Sequence, residues 1–506
     1  MQHLLLRLPL FVSILGIASL GMLIPALHAL ALDLHRTGQP FLYASILFCV
    51  LTALLGLATW TVTSARPARD QLVTLLACFL GLPVVLAVPF REALPDASFF
   101  NVYFEMVSSI TTTGASVFDT PDRLSPPLHL WRGLVAWFGG FVILVAAAAI
   151  LAPMNLGGFE VLRPRGAPVN QAGFDQSMQS TDPKERLIRV AGRILPIYAV
   201  TTAGLWLLLV LSGVAPFEAL MLAFSTLSTS GIVPGRPADP LNTGVLAELL
   251  IFVFLFVAVS RQTLQNDLNR AFFPRLMDDR EMRLALVFVT ILPVALFLRH
   301  WIGAFEISEE GDLAQGIQAL WGGIFTVLSF LSTTGFVSGD WAAARDWSAL
   351  PTPGLVLAGL AIMGGGVATT AGGVKLLRVY ALYKHGVREM SRLVHPSSIG
   401  TAGRLGRELR REGALLAWIF FMLFAVSIAG VMVLLAAAGL SFDESLVFAV
   451  ASLSTTGPLA GIVLDGSLSF APLSVAAKTI ICGAMVLGRL ETLAIVALFN
   501  PDFWRR

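Results

Sequence analysis

Ten apolar segments, each long enough to cross a lipid bilayer, recur along the chain and are separated by shorter polar stretches. A transmembrane helix needs about 20 predominantly apolar residues. The pattern predicts spans at about 8–32, 41–63, 70–90, 129–152, 191–213, 243–262, 283–302, 353–384, 413–439 and 471–498. The first run is too long for the core of a signal peptide and a second span follows it, so we predict that it is a transmembrane helix.

Four shorter apolar segments lie between these spans, and each runs into a Ser/Thr-rich tripeptide followed by glycine. The segments cover 98–111, 216–228, 315–331 and 442–454, and we predict that they enter the membrane without crossing it. The motifs recur at intervals of about 104 to 122 residues, the length of two spans with their loops. The four copies are Thr111-Thr112-Thr113-Gly114, Ser228-Thr229-Ser230-Gly231, Ser332-Thr333-Thr334-Gly335 and Ser454-Thr455-Thr456-Gly457.

Internal repeats of this kind usually surround a shared axis. We therefore predict an all-α polytopic membrane protein of about ten transmembrane helices. Four pseudo-symmetric helix/pore-loop/helix repeats surround a central pore, and a helix pair precedes them. The predicted units are residues 1–66 for the N-terminal helix pair, and 67–165, 166–275, 276–395 and 396–506 for the four pore repeats.

The chemistry of the four loops is that of a filter for monovalent cations. Backbone carbonyls and hydroxyls can replace the water around such an ion, and glycine allows the backbone to turn its carbonyls toward the axis. Acidic residues near the segment starts (Asp96, Glu218, Asp312 and Asp443) favour helix N-termini there, so that the carbonyl ends aim inward. The alternative is that Ser/Thr-Gly only packs helices closely or breaks them. The predicted ligands of the cation are Thr112, Thr113, Gly114, Thr229, Ser230, Gly231, Thr333, Thr334, Gly335, Thr455, Thr456 and Gly457.

The eighth predicted span carries five glycines in ten residues, which would badly weaken a lipid-facing helix. Non-helical backbone at membrane depth is tolerated only against protein or a water-filled cavity. We predict a broken helix whose middle forms a gating loop beneath the third filter segment; the alternative is a glycine-rich packing face. The predicted gate residues in this loop are Gly364, Gly365, Gly366, Thr369, Thr370, Gly372 and Gly373.

Arg489 lies deep in the tenth span and is a candidate gate residue. An unpaired arginine in lipid costs at least about 2.5 kcal/mol, so we expect it to face the interior. It would act either as an electrostatic barrier in the pathway or as a salt-bridge partner of a neighbouring helix. Glu491 and Lys478 are interpreted as interfacial or structural.

Composition supports a membrane protein and excludes other classes. Only 13% of the 506 residues are charged, against about 25% in soluble proteins, and the net charge of +2 implies no attraction to nucleic acid. Cys49, Cys78 and Cys482 lie in apolar runs, so neither a disulfide framework nor a metal site is predicted.

Basic residues predict the orientation. If the N-terminus is cytoplasmic, about 25 of the 34 Lys and Arg residues fall on or beside the cytoplasmic loops, as the positive-inside rule requires. Both termini are then cytoplasmic and the filter loops face outward. The outer loops are rich in acidic residues that would concentrate cations; the alternative is that these residues only keep the loops solvated.

The seven histidines are scattered, and Leu376 after Lys375 breaks the order of a phosphate-binding loop, so no enzymatic activity and no organic cofactor are predicted.

Symport coupled to Na⁺ or H⁺ normally needs a carboxylate within the membrane. Apart from Arg489, Glu491 and Glu248, the spans are almost free of charge, which favours a channel-like pathway.

The four loops resemble those of the Trk/Ktr/HKT superfamily of potassium transport proteins, and most of all its bacterial TrkH-type membrane subunits. The flanks that share the resemblance are Trp131-Arg132 through Gly139-Gly140, Leu487-Gly488-Arg489-Leu490-Glu491 and Phe503-Trp504-Arg505. The resemblance covers essentially the whole chain. It implies potassium uptake through a pore in a bacterial inner membrane, with an intramembrane gating loop and a pore-region arginine at Arg489. Gly114 in the first loop favours K⁺ over Na⁺, whereas the serine-rich second loop leaves the degree of selectivity open; a Na⁺-permeable or cation-coupled symporter of the same fold is the alternative.

The resemblance also implies partners: a second copy of the chain in a homodimer, and a cytoplasmic nucleotide-binding regulatory subunit of the TrkA/KtrA kind. The basic residues that follow the gate could form its docking surface, or could only reflect positive-inside topology or attraction to anionic lipid. The predicted docking residues are Lys375, Arg378, Lys384 and Arg388.

Overall fold

The structure is a computed structural model that describes residues 9–60, 67–152, 183–235, 240–264, 278–303, 313–348, 352–394, 411–463 and 468–490. Within these residues, seven helices are long and apolar enough to cross a membrane, and the chain is an integral membrane protein. Glu491, Asp312 and the basic run between 404 and 410 lie outside the described residues.

The N-terminal pair begins with a span in two parts, α1 (Leu10–Gly21) and α2 (Leu23–Ala31), and returns as α3 (His35–Ala58). The Ser45 hydroxyl donates to the Ser19 carbonyl oxygen at 2.8 Å and joins the two spans. Phe41 packs edge-on against Trp131 of the first repeat, with ring centroids 5.6 Å apart. The pair is therefore attached to the first pore repeat.

Each of the four repeats contains an outer helix, a short helix that ends at the Ser/Thr-Gly motif, and an inner helix. In the first repeat these are α4 (Pro67–Leu80) with α5 (Leu82–Ala93), α6 (Phe99–Ile110), and α7 (Pro126–Ala146) with a π turn at Ala147–Leu151. In the second repeat they are α8 (Pro183–Leu211), α9 (Pro216–Ser228), and α10 (Val245–Leu255) with a 3₁₀ turn at Phe256–Ala258.

The third and fourth repeats follow the same plan. The third contains α11 (Arg280–Gly303), α12 (Leu313–Leu331), α13 (Trp341–Ser348), and an inner helix split into α14 (Gly354–Met363) and α15 (Leu376–Val394). The fourth contains α16 (Arg411–Ala437), α17 (Phe442–Leu453), and α18 (Val475–Leu490). The predicted break in the eighth span is thus present between Met363 and Leu376.

The short helices begin with caps that the sequence suggests only in part. The Ser98 hydroxyl accepts the Asn101 N–H at 3.2 Å, and Ser441 forms a reciprocal capping box with Glu444. Asp96, expected to favour the start of α6, instead forms an exposed ion pair with Arg123 at 2.7 Å. This hydrogen bond lowers the pKa of the Asp96 carboxyl.

Burial separates inner from outer helices. In their most apolar stretches, 67% of the residues are buried in the inner helix Pro126–Leu151, but only 22% in each of the outer helices Lys184–Leu211 and Gly413–Ala437. Apolar side chains on these two outer helices therefore face lipid, whereas the outer helix of the first repeat, Asp70–Ala93, is 50% buried in its most apolar stretch. One feature without a periodic sequence signal is a two-residue parallel pairing of β1 (Pro240–Leu241) with β2 (Val337–Ser338), which joins the segments after the second and third motifs.

Candidate ion pathway

The four Ser/Thr-Gly motifs, which we call filter loops 1 to 4 in chain order after their predicted role, share one backbone conformation. Each short helix ends with a residue in the left-handed region, where the chain turns and the next N–H bonds back to the carbonyl five residues earlier. These N–H to O distances are 2.8 Å for Thr113 to Ser108, 3.0 Å for Ser230 to Ser225, 2.9 Å for Thr334 to Ser329 and 2.8 Å for Thr456 to Ala451. The bonds satisfy carbonyls at the helix ends and fix the direction of the loop that follows.

The left-handed position is occupied by threonine in all four loops, with φ between 53° and 60°; these residues are Thr112, Thr229, Thr333 and Thr455. Such a conformation is unusual for a β-branched residue. The sequence predicts that glycine allows the backbone to turn here, and the structure adds the threonines as a second source of unusual backbone geometry. Gly114, Gly231 and Gly335 do have positive φ, but Gly457 does not.

The first three loops are packed edge to edge. A β-carbon placed on Gly114 would lie 1.9 Å from the carbonyl oxygen of Ser230 in loop 2. One placed on Gly231 would lie 2.3 Å from the carbonyl oxygen of Thr334 in loop 3. Only glycine leaves room for these approaches, so loop 1 borders loop 2 and loop 2 borders loop 3.

Loop 4 closes the ring. A β-carbon on Gly335 of loop 3 would lie 3.0 Å from Pro458, the residue that follows the fourth motif. The Gly457 N–H donates to the Thr113 carbonyl oxygen of loop 1 at 2.6 Å. The order around the ring is therefore 1, 2, 3, 4 and back to 1, and all twelve predicted ligand residues belong to it.

The hydroxyls of the motifs fall into two sets. In every loop the first and third residues hydrogen-bond to each other, at 2.8 to 3.3 Å between their oxygens. The second hydroxyls differ from one another: the Thr333 Oγ1 accepts the Gly372 N–H of the gating loop at 2.8 Å, and the Thr229 hydroxyl donates to the Ser228 carbonyl oxygen at 2.7 Å. Thr112 Oγ1 and Thr455 Oγ1 are buried and have no hydrogen-bond partner among the described residues. These two oxygens are available to a ligand at the inner end of the ring.

A buried carboxylate behind loop 1 was not predicted. Glu105 lies on α6 with 1% of its side chain exposed, and its Oε1 is 2.6 Å from Nη2 of the equally buried Arg132. Its Oε2 accepts the Val117 N–H at 3.1 Å and the Ser116 hydroxyl at 3.3 Å. An acidic residue on an otherwise apolar short helix was the signal that could have revealed it.

Glu248 on α10 has the same role behind loop 3. It accepts the Gly339 N–H at 2.7 Å, the Ser338 hydroxyl at 2.8 Å and the Trp321 indole N–H at 3.0 Å. Glu105 and Glu248 each hold the chain two to four residues after a filter glycine. Both carboxylates are thus engaged in fixing the loops.

The segment between Met363 and Leu376, which we call the gating loop after its predicted role, lies directly beneath the ring. The Thr370 hydroxyl donates to the Leu227 carbonyl oxygen next to loop 2 at 3.1 Å, and the Gly372 N–H bonds to loop 3. A β-carbon on Gly372 would lie 2.2 Å from the Ser454 carbonyl oxygen of loop 4. The gating loop therefore contacts filter loops 3 and 4 and the helix residue that precedes loop 2.

The N-terminal half of the gating loop is tied to neighbouring helices. The Gly366 N–H donates to the Ala258 carbonyl oxygen at 3.1 Å. The Val367 N–H donates to Oε1 of Glu281, a buried residue at the start of α11, at 2.7 Å. Close backbone approaches fix the glycines as well: a β-carbon on Gly364 would lie 2.1 Å from the Gly372 carbonyl oxygen. A β-carbon on Gly365 would meet the Ala258 carbonyl oxygen, and one on Gly373 the Ala361 carbonyl oxygen.

Arg489 on α18 holds the gating loop from the other side. Its Nη1 donates to the Thr370 carbonyl oxygen at 2.6 Å, and the residue is 4% exposed. Among the described residues it has no ion pair, and its Nε and Nη2 have no partner. A cavity of about 20 Å³, enough for about one water, is lined by Arg489, Thr369 and Lys375.

The predicted docking residues do not form one surface. Lys375 is buried and donates to the Ala371 carbonyl oxygen within the gating loop. Arg378 is fully buried, with its guanidinium 3.6 Å from the centroid of the Phe420 ring. These two positions need correction, because a buried cation cannot meet a cytoplasmic partner. Lys384 and Arg388, further along α15, are exposed.

Comparisons with known proteins agree with this architecture. The family model of TrkH, described as a cation transport protein, matches residues 263–506. The TrkH potassium uptake protein of Vibrio parahaemolyticus serotype O3:K6 is 28% identical over 503 residues, covering 97% of both chains. Its counterpart in Escherichia coli (strain K12) is 28% identical over 491 residues, covering 96% of both. The crystal structure of the potassium transporter TrkH from Vibrio parahaemolyticus matches with a TM-score of 0.80 and 25% identity, over 100% of each chain.

The resemblance to the TrkH family is confirmed. The predicted fold class is confirmed too, since the match to the TrkH structure extends over the whole chain. The names of these relatives describe ion uptake and not catalysis, in agreement with the prediction that the chain is not an enzyme.

Proposed function

We propose that this chain is the pore-forming membrane subunit of a potassium uptake system, with the four filter loops as its selectivity filter. The observation that carries the proposal is the closed order of the loops, each bordering the next through a glycine or the proline beside it. The similarity to proteins named Trk system potassium uptake proteins indicates that the transported ion is K⁺.

The filter would act by replacing water around K⁺. The motifs bring carbonyls and hydroxyls of four loops together, and oxygens of this kind substitute for the hydration shell of K⁺ in channels. The short helices end at the ring, so their partially negative carbonyl ends favour a cation there. The unpaired Thr112 and Thr455 hydroxyls could add ligands at the inner end.

The gating loop would close the pathway below the filter. It contacts loops 3 and 4 and Leu227 beside loop 2, and a small cavity lies next to it beside Arg489. Arg489 would stabilise this closed arrangement through Thr370 while placing a positive charge beside the path of the ion. Opening requires that the gating loop withdraw from the filter and break the Arg489 hydrogen bond.

Regulation would reach the gating loop through α15, which continues from it to the exposed Lys384 and Arg388. We propose these two residues as part of the docking surface for a cytoplasmic nucleotide-binding subunit, in a homodimeric assembly in the bacterial inner membrane. Cation-coupled symport has less support, because Glu105, Glu248 and Glu281 each accept hydrogen bonds from the protein.

Reconstitution of the full chain into liposomes tests the proposal. We expect rubidium uptake down its gradient, and a reversal potential in mixed K⁺ and Na⁺ solutions that lies near the K⁺ equilibrium value. Empty liposomes provide the background. Folded protein that conducts neither ion, with or without a regulatory subunit and nucleotide, would contradict the proposal.

A further inference from the structure

Pro458, the residue that follows the fourth filter motif, is buried at the start of the 3₁₀ turn Gly457–Gly461. Three glycines of the three other loops face it. A β-carbon placed on Gly231 would lie 2.7 Å from its Cγ, one on Gly335 3.0 Å from its Cβ, and one on Gly114 3.5 Å from its Cδ. The pyrrolidine ring is therefore surrounded by loops 1, 2 and 3.

The contact between Pro458 and loop 2 shows where the pyrrolidine ring lies. In the order 1, 2, 3, 4, loop 4 has loops 1 and 3 as neighbours and loop 2 opposite. A residue of loop 4 can approach Gly231 of loop 2 only by reaching across the centre. Because Pro458 also faces Gly114 and Gly335 on either side, it lies on the common axis.

The motif positions that the gating loop and Pro458 contact show which end of the filter Pro458 occupies. The gating loop meets the first and second residues of the motifs, at Ser454 and Thr333. Pro458 meets the glycines, which are the fourth residues of the motifs. The proline is therefore at the end of the filter opposite the gating loop, where ions would enter from outside.

We propose that Pro458 closes the outer mouth of the filter and limits access of cations, an inference that rests on the proposed function. A pyrrolidine ring has no hydrogen-bonding group of its own and offers an arriving ion no ligand. It must move aside before an ion can reach the carbonyls. The gating loop packs against Ser454 of the same loop, so both closures involve loop 4.

The test measures rubidium and caesium uptake into proteoliposomes that contain the wild type, Pro458→Ala or the matched control Pro126→Ala. Pro126 is exposed at the first position of α7, outside the four filter motifs. We expect Pro458→Ala to raise rubidium uptake several-fold and caesium uptake by more, because the larger ion gains most from a wider entrance. Pro126→Ala should match the wild type.

Rubidium and caesium uptake at wild-type rates by folded Pro458→Ala would overturn the inference. Should this variant lose its fold, Pro458→Cys, with the three native cysteines replaced, keeps the test open. An external methanethiosulfonate reagent should then stop uptake, and uptake that continues unchanged would refute an axial position. A wild type without any uptake would instead count against the proposed function.

Discussion

At the scale of single residues, the filter depends on backbone conformations that residue types reveal only in part. Glycine was the expected source of unusual geometry, yet threonine takes the left-handed position in all four loops. The surrounding structure forces this, since each loop is fixed by the helix-ending hydrogen bond before it and by the neighbouring loop after it. Such constraints come from tertiary contacts, and the sequence alone does not display them.

Gly114→Ser tests the contact between loops 1 and 2. Its φ of 74° and the 1.9 Å approach of a β-carbon to the Ser230 carbonyl oxygen mean that this carbonyl must be displaced. We expect the permeability ratio of K⁺ to Na⁺ to fall by about tenfold, equivalent to about 1.4 kcal/mol, as measured from reversal potentials. Gly204→Ala is the control, because nothing lies within 4 Å of that position; an unchanged ratio in folded Gly114→Ser would contradict the assigned role.

Glu105→Gln tests the buried ion pair behind loop 1. The substitution leaves the 3% exposed Arg132 without its charged partner, and removing one member of a buried pair typically costs about 3–5 kcal/mol. We expect a clear drop in the thermal unfolding midpoint in detergent. Asp96→Asn breaks the exposed pair with Arg123 and should change the midpoint little; equal effects of the two substitutions would contradict the structural role of Glu105.

At the scale of elements, hydrophobic periodicity predicts the fold well and the special segments less completely. The short helices lie where the apolar runs are too brief to span, and α14 and α15 are separated where five glycines interrupt the eighth span. The first span, predicted as one helix, is divided at Met22. The β1–β2 pairing and the partners of Glu248 were missed, because two-residue strands and partners over 70 residues away leave no local signal. Glu105 was missed although its partners lie within 30 residues along the chain.

Arg489→Ala tests how the gating loop is held. The lost hydrogen bond to the Thr370 carbonyl oxygen involves a charged donor, and such bonds contribute about 1.5–3 kcal/mol. If it stabilises the closed arrangement, the open population should rise by about tenfold or more, with a matching rise in rubidium uptake. Arg489→Lys, which keeps the charge, should give an intermediate rate; unchanged uptake in folded Arg489→Ala would rule out a gating role.

At the scale of the whole molecule, the distribution of charge and the position of the filter predict one orientation. Asp96 and Arg123 lie exposed beside the start of the first short helix, while the exposed Lys384 and Arg388 lie on α15, beyond the gating loop. The filter and the gating loop separate these two groups. Basic loops remain in the cytoplasm during insertion, so α15 should be inside and the entry to the filter outside.

Single cysteines test this orientation in a variant whose Cys49, Cys78 and Cys482 are replaced. Asp96→Cys and Lys384→Cys both occupy exposed positions. A difference in labelling between them therefore reports the side of the membrane and not burial within the protein. We expect a membrane-impermeant maleimide added to intact spheroplasts to label Asp96→Cys at once and Lys384→Cys only after permeabilisation. The reverse order would place the filter entry in the cytoplasm. Potassium would then meet the gating loop before the filter, and a regulatory subunit acting on α15 would have to bind from outside the cell.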